Sequence, residues 1–170
     1  MRDLRLGTTG AILLSAAALL AGCTQNFWEA TPFGEALQYE HPRVTARKGV
    51  MRENLKQLRA IQAAVKAGNN AATAKAARDL AANAKRLSQA FRRMTLAGKT
   101  TARPVVWQKK TEFDQGAANL VTSAEVLALA AEGGDKAGIA NGFATAAASC
   151  DSCHKVFRTQ ATNFARLAAR

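Results

Sequence analysis

The chain has 170 residues, of which 48% are hydrophobic, which is enough for one domain with a buried core. Its formal net charge is +12, but the Lys and Arg residues are spread along the chain, without a basic block, a zinc-finger spacing or an aromatic RNA-binding motif. That pattern argues against nucleic acid as a partner. With only 6% aromatic residues and 3 Pro, the Ala-rich composition favours helices over sheets.

Residues 1 to 22 are typical of a bacterial export signal, with a basic start followed by an apolar segment over residues 11 to 21. Residues 20 to 23 read Leu-Ala-Gly-Cys and resemble a lipobox, in which small residues permit cleavage directly before a lipid-modified cysteine. We therefore expect Cys23 to carry the lipid; the alternative is an ordinary secretory signal in which Cys23 is incidental. The mature protein would lie in the bacterial periplasm, held at a membrane by its N-terminal lipid.

Hydrophobic residues have no regular spacing over residues 23 to 41. We therefore predict that this segment is a tether between the lipid and a domain over residues 42 to 170. Four segments of that domain repeat apolar residues at helical spacing. We predict helices over about Pro42–Lys66, Ala71–Leu96, Arg103–Glu132 and Ile139–Leu167. Short loops between them favour an all-α, antiparallel four-helix bundle. The predicted inward residues include Val44, Met51, Leu58, Leu80, Met94, Phe113, Leu127, Ile139 and Phe143.

The last helix contains Cys-Asp-Ser-Cys-His over residues 150 to 154, which is the attachment signature of a c-type haem. On a helix Cys150 and Cys153 lie one turn apart on one face, so each thiol can form a thioether with one haem vinyl group. His154 follows directly and can bind the iron from the same side. Both cysteines fall on the apolar stripe, so we expect one covalent haem c in the core of the bundle.

The motif is also compatible with three other interpretations. A redox dithiol is expected in a strand–helix setting, and no strand is predicted before Cys150. A closed zinc site needs four ligands, whereas the remaining His is His41 and the remaining Cys is the lipidation candidate. A disulfide between Cys150 and Cys153 would not explain why a histidine, His154, directly follows the second cysteine. Haem attachment therefore remains the favoured interpretation.

Motifs along residues 43 to 168 resemble those of the class II c-type cytochromes, the cytochrome c′ family, here in a lipoprotein form. Residues 47 to 51 resemble the Arg-x-x-x-(Met/Leu) start of that family's first helix. Residues 102 to 107, with Phe113 six residues on, resemble its (Lys/Arg)-Pro-x-x-Trp…Phe segment. The haem motif itself lies near the C-terminus, on the last of four predicted helices, as it does in this family.

The resemblance implies roles for three further residues. Arg47 matches a residue that pairs with a haem propionate, and Arg158 matches a basic residue near the proximal haem face. Spacing alone also puts Arg158 one turn past His154. Met51 matches the distal position, where it would be the sixth iron ligand or a lid over an open iron. A core methionine remote from the iron is the third alternative.

Two functions follow from those alternatives. With Met51 bound, the protein would be a periplasmic electron-transfer cytochrome, and its basic surface could dock an acidic redox partner protein. With an open iron it would bind NO or CO, for sensing or for NO detoxification. We expect no enzymatic turnover, because His154 is used as a ligand and no distal acid–base pair is evident. The resemblance also implies a homodimer.

Overall fold

The computed structural model describes residues 40 to 169, and the predicted signal peptide, Cys23 and most of the predicted tether lie outside that range. No described helix is long and apolar enough to cross a membrane. The described helices are α1 (Pro42–Lys66), α2 (Asn70–Ala84), α3 (Leu87–Ala90), α4 (Val105–Gln108), α5 (Lys110–Glu132), α6 (Lys136–Phe157) and α7 (Ala165–Ala168).

Side-chain caps begin three of the four long helices, α1, α2 and α6. His41 precedes α1, and its Nδ1 accepts a hydrogen bond from the Arg43 backbone N–H at 3.1 Å. Asn69 caps α2 through the Ala72 N–H, and Asp135 caps α6 through the Gly138 N–H. These caps, together with short connections, make the pairs α1–α2 and α5–α6 antiparallel hairpins.

The four long helices form the predicted all-α bundle, which confirms the fold class. Helix α1 packs on α2, α2 on α5, and α5 on α6, whereas α1 and α6 contact each other far more sparsely. The completely buried centre of the bundle contains Leu58, Ile61, Leu80 and Leu127. Because α1 and α6 close the bundle so loosely, space remains between them and the neighbouring helices.

A buried polar pair fixes the register of α1 against α2. The Asn83 side-chain amide donates to the Val50 carbonyl at 2.8 Å and to Oδ1 of Asn54 at 2.7 Å. Both asparagines are more than nine-tenths buried. Sliding one helix along the other would leave these polar groups unpaired in the core, so the pair disfavours other registers.

Two predicted helix ends are wrong. The second helix ends at Ala84 rather than near Leu96, and after the short α3 the chain is irregular, so Met94 is 54% exposed instead of inward. The last helix ends at Phe157 rather than continuing to Leu167. Phe164 and Leu167 still pack on the core, but from a separate segment that ends in α7.

Candidate functional site

A cavity of about 470 Å³ occupies the space that α1 and α6 leave open. Its wall is mainly apolar, with Val44 and Leu58 from α1 and Phe113 from α5. Helix α6 contributes Cys150, Cys153 and His154 to the same wall. The three residues of the predicted haem motif therefore face one apolar cavity.

Cys150 and Cys153 are free thiols that lie one turn apart on α6 and pack against the core. Burial raises the pKa of Cys150 to about 12 and that of Cys153 to about 11. A redox-active dithiol has the opposite property, a thiol pKa lowered toward neutrality. Across residues 40 to 169, no group of three or more His, Cys, Asp or Glu side chains is arranged to hold a metal ion. The raised pKa values of the two thiols therefore argue against a redox-active dithiol.

His154 lies partly buried on the cavity wall, and its imidazole ring contacts the segment that follows α6. Its Nδ1 is 3.2 Å from Oγ1 of Thr162, and its ring centroid is 5.7 Å from that of Phe164. Burial and the nearby Arg158 cation lower the pKa of His154, against the opposing effect of Asp151. A neutral imidazole is the form that binds a metal ion.

Asp151 lies between the two cysteines of the motif, and its side chain organises the segment beside His154. Its Oδ1 accepts hydrogen bonds from the Thr162 hydroxyl at 2.7 Å and the Phe164 N–H at 2.8 Å. Its Oδ2 accepts from the Ala165 N–H at 2.8 Å. Burial alone would raise the pKa of Asp151, but these donors outweigh it and hold the pKa below the usual aspartate range. Only the fold brings the two segments together, so the sequence carries no signal for this contact.

The family profile for cytochrome C′ matches residues 43–158, which include the whole motif and, except for Pro42, all four long helices of the bundle. The chain belongs to the cytochrome c′ family. This is a family of periplasmic haem proteins rather than enzymes, and membership implies a covalent haem c.

Individual relatives agree with this assignment. A cytochrome c′ from Pararhodospirillum photometricum is 36% identical over 118 residues, which is 68% of this chain and 94% of the relative. The solved cytochrome c prime from Shewanella frigidimarina is 26% identical, covers 72% of this chain and 99% of its own, and superposes with a TM-score of 0.63. A nitric oxide complex of a cytochrome c prime variant from Alcaligenes xylosoxidans is 21% identical, covers 69% of this chain and 94% of its own, and has a TM-score of 0.61.

The cavity fits the haem that this family carries. Gly116 of α5 lies beside the motif, and a Cβ atom added to it would lie 3.6 Å from Sγ of Cys153. The absent side chain leaves α5 open at the point where a thioether to Cys153 would need room. Two reduced thiols, a neutral imidazole and an apolar cavity are together the donor set and surroundings of a covalent haem.

Arg47 lines the cavity, but its guanidinium group donates hydrogen bonds to backbone carbonyls. It is 3% exposed and donates to the carbonyls of Ala90 at 3.1 Å, Arg93 at 2.5 Å and Thr95 at 2.9 Å. Its guanidinium carbon also lies 4.9 Å from the ring centroids of both Phe91 and Trp107. In this cytochrome c′ fold Arg47 therefore shapes the irregular segment after α3, and its contact with a propionate stays a prediction.

Arg158 is not on the helical face shared with His154, because α6 ends one residue earlier. Its backbone is extended and forms an isolated antiparallel bridge with Ala102. Its side chain donates to Oγ1 of Thr101 at 3.1 Å and to Oε1 of Gln160 at 3.0 Å. Arg158 still borders the cavity beside His154, so its predicted proximal contact stays open.

Met51 lies half-buried on α1 and faces the same cavity as the motif on α6. The cavity-lining side chain of α1 with an amine nitrogen is Lys48, whose ammonium is paired with Glu40. Met51 is therefore the α1 side chain with an available soft ligand atom, its thioether sulfur.

Proposed function

We propose that the protein is a periplasmic electron-transfer cytochrome with one haem c. Cys150 and Cys153 would hold the haem covalently, His154 would be the fifth iron ligand, and Met51 would be the sixth. The observation that carries this proposal is the shared cavity, whose wall contains the three motif residues from α6 and Met51 from α1. A bound haem supplies one-electron chemistry at its iron, with a potential set by its axial ligands and surroundings.

The cysteines, His154 and the apolar cavity wall would each support reversible electron transfer at the haem in a different way. Two thioethers on one helix prevent loss of the cofactor outside the cell. The lowered pKa of His154 favours its neutral imidazole, which is the form that binds a metal ion. The apolar side chains around the cavity limit the access of water, which favours a raised potential together with Met51 as ligand.

A basic surface at the end of α6 supports docking of an acidic redox partner. Arg103, Lys155 and Arg158 border one surface depression together with His154, and they outnumber the one carboxylate there, that of Asp151. Charge complementarity speeds the encounter of such partners and is weakened by salt. Residues 1 to 22 contribute Arg2, Arg5 and Asp3, a net +1 of the formal charge of +12, so the remaining +11 would extend the attraction beyond this surface.

The second candidate function is binding of NO or CO at a five-coordinate iron. Met51 is an unbranched, flexible side chain, and the cavity wall near it is apolar, so a small neutral gas could pass it and reach the iron. The relative from Alcaligenes xylosoxidans is solved as a nitric oxide complex, and it has the same fold. In this case Met51 would act as a lid over the iron.

Absorption and EPR spectra of the ferric and ferrous protein, before and after CO, separate the two functions. We expect low-spin ferric iron, a methionine–iron charge-transfer band and no spectral change with CO. Met51→Leu should become high-spin and bind CO, whereas Met94→Leu, at an exposed methionine, should behave as the wild type. A high-spin wild-type spectrum with ready CO binding would instead establish the gas-binding function.

We further propose that residues 1 to 22 are removed and that Cys23 is lipidated, as its Leu-Ala-Gly-Cys context supports. These positions lie outside the described residues. Growth with labelled palmitate should label the wild type and not Cys23→Ser. Label retained by that variant would assign the lipid to another residue.

A further inference from the structure

The hydrogen-bond pattern around Thr162 determines which nitrogen of His154 carries its proton. The Thr162 hydroxyl has one proton, and its oxygen is 2.7 Å from Oδ1 of Asp151. An ionised carboxylate can only accept, so the hydroxyl proton points at Asp151. The same oxygen is 3.2 Å from Nδ1 of His154 and is left as an acceptor. The His154–Thr162 contact is thus a hydrogen bond only when Nδ1 carries the proton, which leaves Nε2 with its lone pair.

Asp151 is held firmly enough to impose this arrangement. Besides Thr162, it accepts from the backbone N–H groups of Phe164 and Ala165, both at 2.8 Å. These contacts join the motif turn of α6 to the segment that precedes α7. Hydrogen bonds to a charged acceptor are stronger than those between neutral groups, so Thr162 has a fixed orientation.

We propose that Asp151 and Thr162 are positioning residues that set the tautomer of His154 and increase its electron donation to the haem iron. This inference rests on the proposed function, because it assigns Nε2 of His154 as the iron ligand. A histidine ligand whose second nitrogen donates toward a carboxylate gains basicity and a fixed ring orientation. Here the carboxylate acts through a hydroxyl, and it comes from inside the attachment motif itself.

The consequence is measurable as a change in the midpoint potential. Greater donation from His154 stabilises the ferric state, so removing the hydroxyl should favour the ferrous state. In Thr162→Val we expect the ratio of reduced to oxidised protein at a fixed potential to rise by about three- to tenfold. Asp151→Asn should shift the ratio in the same direction, since the neutral amide is a weaker acceptor for the Thr162 hydroxyl.

Two further variants separate this role from simple support of the C-terminal segment. Thr162→Ser keeps the hydroxyl and should restore the wild-type potential. Thr145→Val removes an exposed hydroxyl that bonds only the Asn141 carbonyl on the same helix, and it should leave the potential unchanged. The holoprotein is used throughout, and covalent haem is verified first for each variant.

The outcomes distinguish this inference from the proposed function. If the wild type lacks covalent haem, both fail. If all variants carry haem and Thr162→Val has the wild-type potential, the inference alone is overturned. A shift in Thr162→Val that Thr162→Ser reproduces would also overturn it, since the hydroxyl would then not be its cause. A shift confined to Thr162→Val and Asp151→Asn supports it.

Discussion

Gly142 of α6 packs directly on Leu127 of α5, and a Cβ atom at Gly142 would lie 3.1 Å from both Cα and Cβ of Leu127. This approach brings the motif helix close to its neighbour. Gly142→Ala should push the two helices apart and lower the free energy of unfolding by about 1–3 kcal/mol. Urea unfolding of the holoprotein measures this.

Gly49→Ala is the matched control for that substitution. Gly49 also lies within a helix, but no atom outside its own helix is within 4 Å of the added Cβ. It should be neutral or stabilising by about 0.5–1 kcal/mol, because alanine restricts the unfolded chain. Equal destabilisation by both substitutions would contradict close α5–α6 packing.

Arg47 should stabilise the irregular segment after α3 more than it stabilises the bundle as a whole. Arg47→Lys loses the planar set of donors that reaches the carbonyls of Ala90, Arg93 and Thr95. We expect the free energy that holds this segment in place to fall by roughly 2–4 kcal/mol. Trypsin should then cleave faster after Arg93, which is exposed. Arg43→Lys, at an exposed position one turn earlier on α1, should change neither property.

Room beside Cys153 should be needed for haem attachment. Gly116→Leu would direct a large side chain toward Sγ of Cys153 and should lower the amount of haem per chain. Gly116→Ala should have a smaller effect, because its Cβ would be in ordinary van der Waals contact. Ala118→Leu, on an exposed part of the same helix, should leave haem content unchanged. Full haem content in Gly116→Leu would show that the haem does not approach α5 there.

Acidification should release the segment that Asp151 holds. The pKa of Asp151 is lowered in the folded protein, so its stabilising effect is complete above the ordinary aspartate pKa and is lost as the pH falls through the lowered value. The Phe164 and Ala165 amides should then lose hydrogen-exchange protection. The Ala72 amide bonds to the side-chain oxygen of Asn69, which does not titrate in this range, and should stay protected. Simultaneous loss of protection at all three amides would indicate global acid unfolding instead.

The parts of the fold that depend on local signals were predictable from the sequence. The bounds of α1 are confirmed at both ends, because His41 and Pro42 begin it and Gly68, with φ of 63°, follows its end. The haem motif was evident because its chemistry depends on fixed spacing within one helix. Its position on the cavity follows from the apolar stripe of α6.

The errors arose where distant residues override local preference. Residues after Phe91 are good helix formers, but Arg47 draws the carbonyls of Ala90, Arg93 and Thr95 toward α1, and the chain there is irregular. Similarly, Asp151 takes the amides of Phe164 and Ala165, which ties the segment after α6 to the motif rather than extending the helix. Neither contact is encoded in the spacing of nearby residues.

The central claim is that the cavity holds one haem attached through Cys150 and Cys153, and peptide mass spectrometry tests it most directly. The protein would be made with a c-type haem maturation system and digested with trypsin, which yields a peptide over residues 137 to 155. We predict that this peptide is heavier by one haem in the wild type. The Cys150→Ser, Cys153→Ser double variant should lack that addition. A wild-type peptide with only the mass of its amino acids would contradict the account.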